Sequence, residues 1–385
     1  MPVEQQHTPI KKERLIFIDV MRGIAVLWMI ETHVVDVALK SDLMNGWFFK
    51  ILNISNGFVS VSFLFCAGAG LYLATRAKGA QWRAYQKPLW TYLRRLSFIM
   101  LIAYWLHLPE FSLARSFNFT PQQFNFWVQV DILQTIVSTS LFSLLIILAV
   151  KSEKALTWIF AGLAIATMLV TPAVRTHDPF AWGLWSPITA YFAGPPISNF
   201  PLFPWATYFF GGFAIASFFY AAKNKNLFAV RVMVGSLIMI LSTWGGDVLT
   251  GAYDAASWWH ISPTHTIFRL GGASIVFCAL YLLEKYYKAT RGGDALRLAG
   301  QESLYLYVSH LLLVYGSVAN FGLKYLVGSR LNYLGVAAII AAIMAFCYYT
   351  AWGWRYLKDT QPKKASRIVY AVTALMIAIF IVNPL

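Results

Sequence analysis

Leu15-Ile16-Phe17-Ile18-Asp19-Val20-Met21-Arg22-Gly23-Ile24-Ala25 opens an apolar run that continues through Glu31-Thr32-His33 to Leu39. A run of that length covers a hydrocarbon core about 30 Å thick and reads as a membrane-crossing helix. Ten further segments of the same character follow, near 56–75, 93–113, 127–149, 155–172, 201–221, 229–246, 264–284, 301–319, 332–354 and 368–384. Eleven spans of roughly 20 residues use about 220 residues and leave short loops. The sequence therefore predicts an all-α, polytopic integral membrane helical bundle of about 11 transmembrane helices. A tail of residues 1–14 precedes a single transmembrane domain, 15–385.

The composition excludes the competing classes. Of 385 residues, 58% are hydrophobic, 17% aromatic and only 12% charged, about half the usual share of charge in a soluble protein. A soluble globule, a disordered chain and a nucleic-acid reader are ruled out, although Lys+Arg 31 against Asp+Glu 16 gives a net charge of +15. In a membrane protein such an excess marks sidedness. With the N-terminus in the cytosol, 23 of the 31 Lys and Arg residues fall in inside segments, six fall outside, and two, Arg22 and Arg269, lie within spans. Lys11, Lys12 and Arg14 precede the first span and no small-residue cleavage site follows it, so that span reads as retained. Cys66, Cys278 and Cys347 all fall within spans without metal-type spacing, so packing is expected of them and no metal site. The longest segment outside the membrane, 173–200, is long enough for a lid or an acceptor surface.

Ionisable residues inside a membrane cost several kcal/mol unless paired or watered, and so mark candidate sites. Arg22 and His33 are eleven residues apart, about 20° from a whole number of helical turns and roughly 16 Å along the axis. They share a face, with Asp19 placed to pair with Arg22 at i,i+3. A cation near the cytosolic mouth and a titratable imidazole deeper in suit a long anionic donor threaded from inside, with its reactive end at His33. The alternative is a structural ion pair and a histidine that bonds between helices.

In the fourth span, Asp131 and Gln134 fall at the depth of His33, where Asp131 would orient the imidazole or simply cap a helix start. Arg269, a turn inside the eighth span behind Ser262-Pro263-Thr264-His265, would pair with Asp131 or stabilise an acyl oxyanion. The ninth span, opening Gly300-Gln301-Glu302-Ser303, brings a second membrane histidine, His310, on a Tyr-Ser-His face, as a reactive group or as interhelical glue. Arg94 and Arg95, with Lys78, Arg83 and Lys87 before them, suit nucleotide phosphates or anionic headgroups. His107 receives no role. There is no P-loop, no dinucleotide glycine pattern, no HExxH and no Gly-x-Ser-x-Gly elbow.

Arg22 with His33 after a hydrophobic-Asp start resembles the first-helix signature of the transmembrane acyltransferase superfamily. Further stretches follow in order: Phe63-Leu64-Phe65-Cys66-Ala67-Gly68, Asp131-Ile132-Leu133-Gln134, Phe200-Pro201-Leu202-Phe203-Pro204-Trp205, Ser262-Pro263 to Arg269, and Gly300 to Leu311. Together they resemble the bacterial branch of the heparan-alpha-glucosaminide N-acetyltransferase catalytic-domain family, across residues 14 to about 320.

The resemblance implies an acyltransferase of a bacterial inner membrane. It would take acetyl from acetyl-CoA in the cytosol, with no permanently bound cofactor, and deliver it to a sugar or glycan on the far side. In the related acyltransferase-3 branch the first-helix Arg and His are the essential pair, which maps onto Arg22 and His33. This chain departs from that branch in carrying its second arginine motif as adjacent Arg94-Arg95. It departs from lysosomal relatives in having no histidine between Val34 and Phe63. The resulting expectation makes His33 the base or acyl carrier, with Asp131, Arg269 and His310 around it, and Arg22, Asp19, Arg94 and Arg95 holding the donor. Its partners are acyl-CoA, a glycan acceptor and membrane lipids, and homo-oligomerisation is left open.

A transporter or flippase for a sugar-linked or anionic substrate is the rival, because buried His, Asp and Arg also suit proton relays. Against it, no internal repeat or pair of broken helices is visible. Trp182, Trp185, Tyr191, Trp258 and Trp259 would stack on sugars or anchor the protein at the interface.

Overall fold

A computed structural model describes residues 15–177, 179, 183, 185–251, 258–317 and 320–383. The tail 1–14, with Lys11, Lys12 and Arg14, and Trp182 lie outside the described residues.

Helices stand at all eleven predicted positions: α1 Ile16–Ala38, α2 Trp47–Arg83, α3 Lys87–Leu106, α4 Ile132–Ala149, α5 Glu153–Thr176, α6 Leu202–Ala221, α7 Lys225–Leu249 and α8 Pro263–Tyr287. After an additional helix, α9 Arg291–Gln301, come α10 Ser303–Tyr315, α11 Tyr333–Thr360 and α12 Pro362–Val382. Eight of these are long and apolar enough to cross a membrane: α2, α4, α5, α6, α7, α8, α11 and α12. The chain is an all-α, multi-pass integral membrane protein.

The starts are written in local chemistry. Ser152, Asn224, Ser262, Thr290 and Asn332 each accept a backbone N–H of the first turn of the helix they precede, which satisfies a donor that has no partner within the helix. Pro362, at the first turn of α12, stops α11 and starts its successor.

Three boundaries correct the sequence reading. The second span extends to 37 residues, about 55 Å, longer than a bilayer core. The fourth begins at Ile132, because Pro121–Val128 forms its own short helix and Gln129 follows it, off the predicted face. The ninth splits at Glu302: Gly300 and Gln301 end α9, and only 13 residues make α10, roughly 20 Å of helix. A short antiparallel hairpin follows, pairing Gly316–Ser317 with Asn320–Phe321.

Glycines set the closest crossings. A Cβ on Gly68 of α2 would stand 1.9 Å from the Phe209 carbonyl oxygen of α6, and one on Gly212 would stand 2.2 Å from that of Phe65. Gly23 of α1 and Gly300 of α9 interlock in the same way, at 2.0 Å from Leu296 O and 1.8 Å from Asp19 O. Without a hydrophobic drive between helices in lipid, such backbone contact supplies much of the packing energy. Around these crossings Phe17, Phe65, Phe209, Phe213, Phe219 and Phe277 form a buried aromatic core.

Polar contacts distinguish the two ends of the bundle. At the end where α1 begins, the Asp19 carboxylate accepts Gln301 Nε2–H at 3.1 Å. Glu302 there receives Lys358 at 2.6 Å and Arg355 at 3.5 Å. The predicted Asp19–Arg22 ion pair is not formed within 4.0 Å: α9 crosses α1 where Gly300 meets the Asp19 carbonyl, and that crossing brings Gln301 to the carboxylate. Arg83, grouped by sequence with phosphate-binding cations, donates to the carbonyls of Ile147 and Val150 at 3.0 and 2.8 Å. It caps the C-terminus of α4. At the opposite end Ser112 donates to Asn383 O at 2.5 Å, and Lys40 N–H donates to Leu331 O.

Candidate active site

The site lies in the half of the bundle away from the start of α1. There α1 carries His33 to within 2.9 Å of the Tyr315 hydroxyl, through Nδ1. The His33 ring also stands beside that of His310, with centroids 5.3 Å apart and planes tilted by 30°. His310, on α10, is wholly buried. Its Nδ1 lies 2.8 Å from Leu306 O. A carbonyl can only accept, so Nδ1 carries the hydrogen and Nε2 holds the lone pair of the neutral ring. That Nε2 has no hydrogen-bond partner among the described residues.

Asp131 borders this pair without touching it. Its Oδ1 accepts the Ile132 N–H at 2.8 Å, while its own N–H donates to Gln134 Oε1 at 3.2 Å. The two residues form a reciprocal cap on α4 rather than a helix face. Oδ2 accepts the Tyr307 hydroxyl at 3.3 Å and faces His107 Nε2 at 3.7 Å. Asp131 therefore makes no hydrogen bond or ion pair with His33 among the described residues, and the direct partner of the imidazole is Tyr315. Sequence reasoning missed Tyr315, Tyr307 and His107. Tyr307 and His310 share an i,i+3 face that was visible; Tyr315 and His107 are brought in only by packing.

Arg269 corrects another expectation, because it makes no ion pair with Asp131. Its guanidinium lies 5.4 Å over the Trp205 ring, in a cavity of about 570 Å³ shared with Arg175, Asn56, Tyr208 and Trp259. Thr32, next to His33 in sequence, lines that cavity, whereas His33 and His310 do not.

Of the residues assigned to the donor, Arg22 packs against α2, with one guanidinium nitrogen 3.7 Å from where a Gly70 Cβ would be. No carboxylate lies within 4.0 Å of Arg22 or Arg95 among the described residues. Arg94 is exposed. The three cysteines are free and buried in packing contacts, Cys66 Sγ lying 4.0 Å from Ile18 O.

An all-helical bundle of long apolar helices, with two imidazoles side by side in one half, defines a multi-pass membrane protein. Residues 14–250 match the family model described as heparan-alpha-glucosaminide N-acetyltransferase, catalytic, and the chain belongs to that family. The family is one of membrane acetyltransferases, so the activity is acetyl transfer in the broad sense. The match holds Arg22, His33 and Asp131, whereas Arg269, His310 and Tyr315 lie beyond it. No curated protein matches the chain.

Proposed function

We propose that this protein transfers an acyl group, acetyl in the first instance, from acyl-CoA in the cytosol to a hydroxyl or amine of a sugar on the opposite face of a bacterial cytoplasmic membrane. The observation that carries the reading is the His33–His310 pair, roughly 16 Å along α1 from Arg22. The excess of Lys and Arg at the end where α1 begins supports its cytosolic placement.

In this reading the donor's phosphates lie at Arg22 and Arg95, neither with a carboxylate within 4.0 Å among the described residues, and at Arg94 beside them, Arg94 and Arg95 both being exposed. Asp19 is tied to Gln301 and shapes the entrance rather than holding the donor. His33 donates Nδ1–H to Tyr315, which leaves Nε2 as the base. It takes the acceptor proton as the acceptor oxygen or nitrogen attacks the thioester carbonyl. The tetrahedral adduct then collapses, the carbon–sulfur bond breaks, and the leaving thiolate recovers the proton from the imidazolium. His310, held as its Nδ1–H tautomer, offers a lone pair. Neutral, it receives a proton or an acyl group and has no N–H left to donate to an oxyanion. Asp131, which accepts the Tyr307 hydroxyl, is a positioning acid at the edge of the pair.

The test is radiolabelled acetyl transfer in inverted membrane vesicles, with acetyl-CoA outside and a mixed glycan pool inside. Label should reach the enclosed glycan or the protein itself and be lost in His33→Ala. Full labelling in that variant would sink the assignment. Proton-coupled sugar uptake without any acyl-CoA requirement would favour a transporter.

A further inference from the structure

The cavity holding Arg269 lies outside the histidine cluster and is charged in a particular way. Arg175 and Arg269 both line it, and neither has a carboxylate within 4.0 Å among the described residues. Space for both guanidiniums is made by glycines. A Cβ on Gly194 would fall 1.3 Å from Arg175 Nη2, and one on Gly57 would fall 2.9 Å from Arg269 Nη2. Arg175 spends one donor on Phe192 O at 3.3 Å, and its buried Nε has no partner among the described residues. Two guanidiniums lining one cavity, with no carboxylate within 4.0 Å among the described residues, are costly unless an anion or water completes them. Trp205, Tyr208 and Trp259 supply ring faces, and Asn53, Asn56 and Asn199 supply amides. The volume, about 570 Å³, falls in the range of pockets that enclose a small-molecule ligand.

A second cavity of about 390 Å³ adjoins it. It runs between α4, α5 and α6, and its walls include Phe142, Leu163, Ala166, Val170 and Phe210. Phe142 and Val170 remain 48% and 46% exposed, so the groove opens toward lipid. Phe203 lines both cavities. It stands in an extended conformation, φ −104° and ψ 116°, within the first turn of α6. The polar chamber and the apolar groove therefore lie on either side of one residue, whose ring is their common wall.

We propose that the two cavities together bind one amphiphile, a lipid-linked saccharide. Its phosphate or pyrophosphate sits between Arg175 and Arg269, its sugar lies against Trp205, Tyr208 and Trp259, and its hydrocarbon chain leaves along the groove. A saccharide is preferred to an ordinary phospholipid headgroup because three aromatic rings and three asparagines line the chamber beside its two cations. Identifying this amphiphile as the acyl acceptor rests on the transfer reading above; its binding does not.

The test measures binding of tritiated farnesyl-phosphoryl-glucose to the full chain in nanodiscs, with no acyl donor present. Unlabelled glucose 1-phosphate and dioleoyl phosphatidylglycerol serve as competitors. The farnesyl probe should bind at least about tenfold tighter than either, since burying a chain adds affinity methylene by methylene. Arg175→Gln and Arg269→Gln should each weaken it by about tenfold or more, as loss of a charge-assisted contact does. Ala166→Trp, which fills the groove, should bring the farnesyl probe down to the affinity of glucose 1-phosphate. Equal affinity of the native protein for farnesyl-phosphoryl-glucose and glucose 1-phosphate would overturn the groove assignment, whatever the variants do. Equal competition by phosphatidylglycerol would overturn the saccharide. An arginine variant that does not fold is replaced by Arg→Lys, and unchanged affinity in either replacement would overturn the phosphate seat. Tight probe binding without acetyl transfer, once acetyl-CoA is supplied, would refute the transfer reading and leave this site standing. Transfer to soluble glycans with no probe binding would do the reverse.

Discussion

His33 Nδ1 lies 2.9 Å from the hydroxyl of Tyr315, a contact across 282 residues of chain. It joins the first helix to the last residue of α10 and holds the imidazole of His33 beside that of His310. If His33 is the base, Tyr315→Phe keeps the ring and loses only the hydrogen bond. Acetyl transfer should fall by about tenfold, against roughly 10²-fold or more in His33→Ala, the scale of general-base catalysis. Rates in sealed vesicles check this, and a Phe variant as inactive as the alanine would place Tyr315 in the chemistry itself.

Arginines at the end where α1 begins should separate by function. Arg22→Gln is expected to raise KM for acetyl-CoA by about tenfold, because it removes a phosphate partner. Arg83→Gln removes a helix C-cap and should instead lower stability by about 1 kcal/mol with KM unchanged. Saturation curves and thermal melts of the same preparations distinguish the two.

The crossing of α2 and α6 has no room for a side chain. Gly68→Ala places a carbon 1.9 Å from a backbone oxygen, and overpacking of this kind costs about 1–3 kcal/mol or more. Gly162, on α5, has nothing within 4 Å, so Gly162→Ala should be neutral or stabilise by about 0.5–1 kcal/mol. Melting temperatures in detergent should therefore move in opposite directions.

Glu302 is 5% exposed and carries both Lys358 and Arg355. Glu302→Gln should cost about 1–3 kcal/mol, the range for hydrogen bonds to charged groups. Adding Lys358→Met should recover part of that loss, since a cation facing a neutral amide is itself penalised. A double-mutant cycle on unfolding free energies measures the coupling, and strict additivity would show that the pair is independent.

Eleven apolar runs and the bias of Lys and Arg between their flanks determined, from the sequence alone, that this chain is a multi-pass helical membrane protein. Hydrocarbon thickness permits few alternatives for segments of that length. The motif stretches around Gly68 and Asp131, both within the matched residues 14–250, also pointed to the family. The break at Glu302 was not legible, because a polar Gly-Gln-Glu run reads equally as the mouth of one helix or the joint between two. Nor were the partners of the charged groups. Asp19 was one turn from Arg22 and still chose Gln301; Asp131 had a suitable acid's position and was spent on capping α4; Arg269 was free of Asp131 and faced a cavity with Arg175. Periodicity places a side chain on a face, but which group meets that face depends on helix crossings. Here those crossings are set by glycines whose contacts lie on other helices. Only the tertiary structure therefore decided that His33 meets Tyr315 and His310, and that a polar chamber and an apolar groove share Phe203 as a wall.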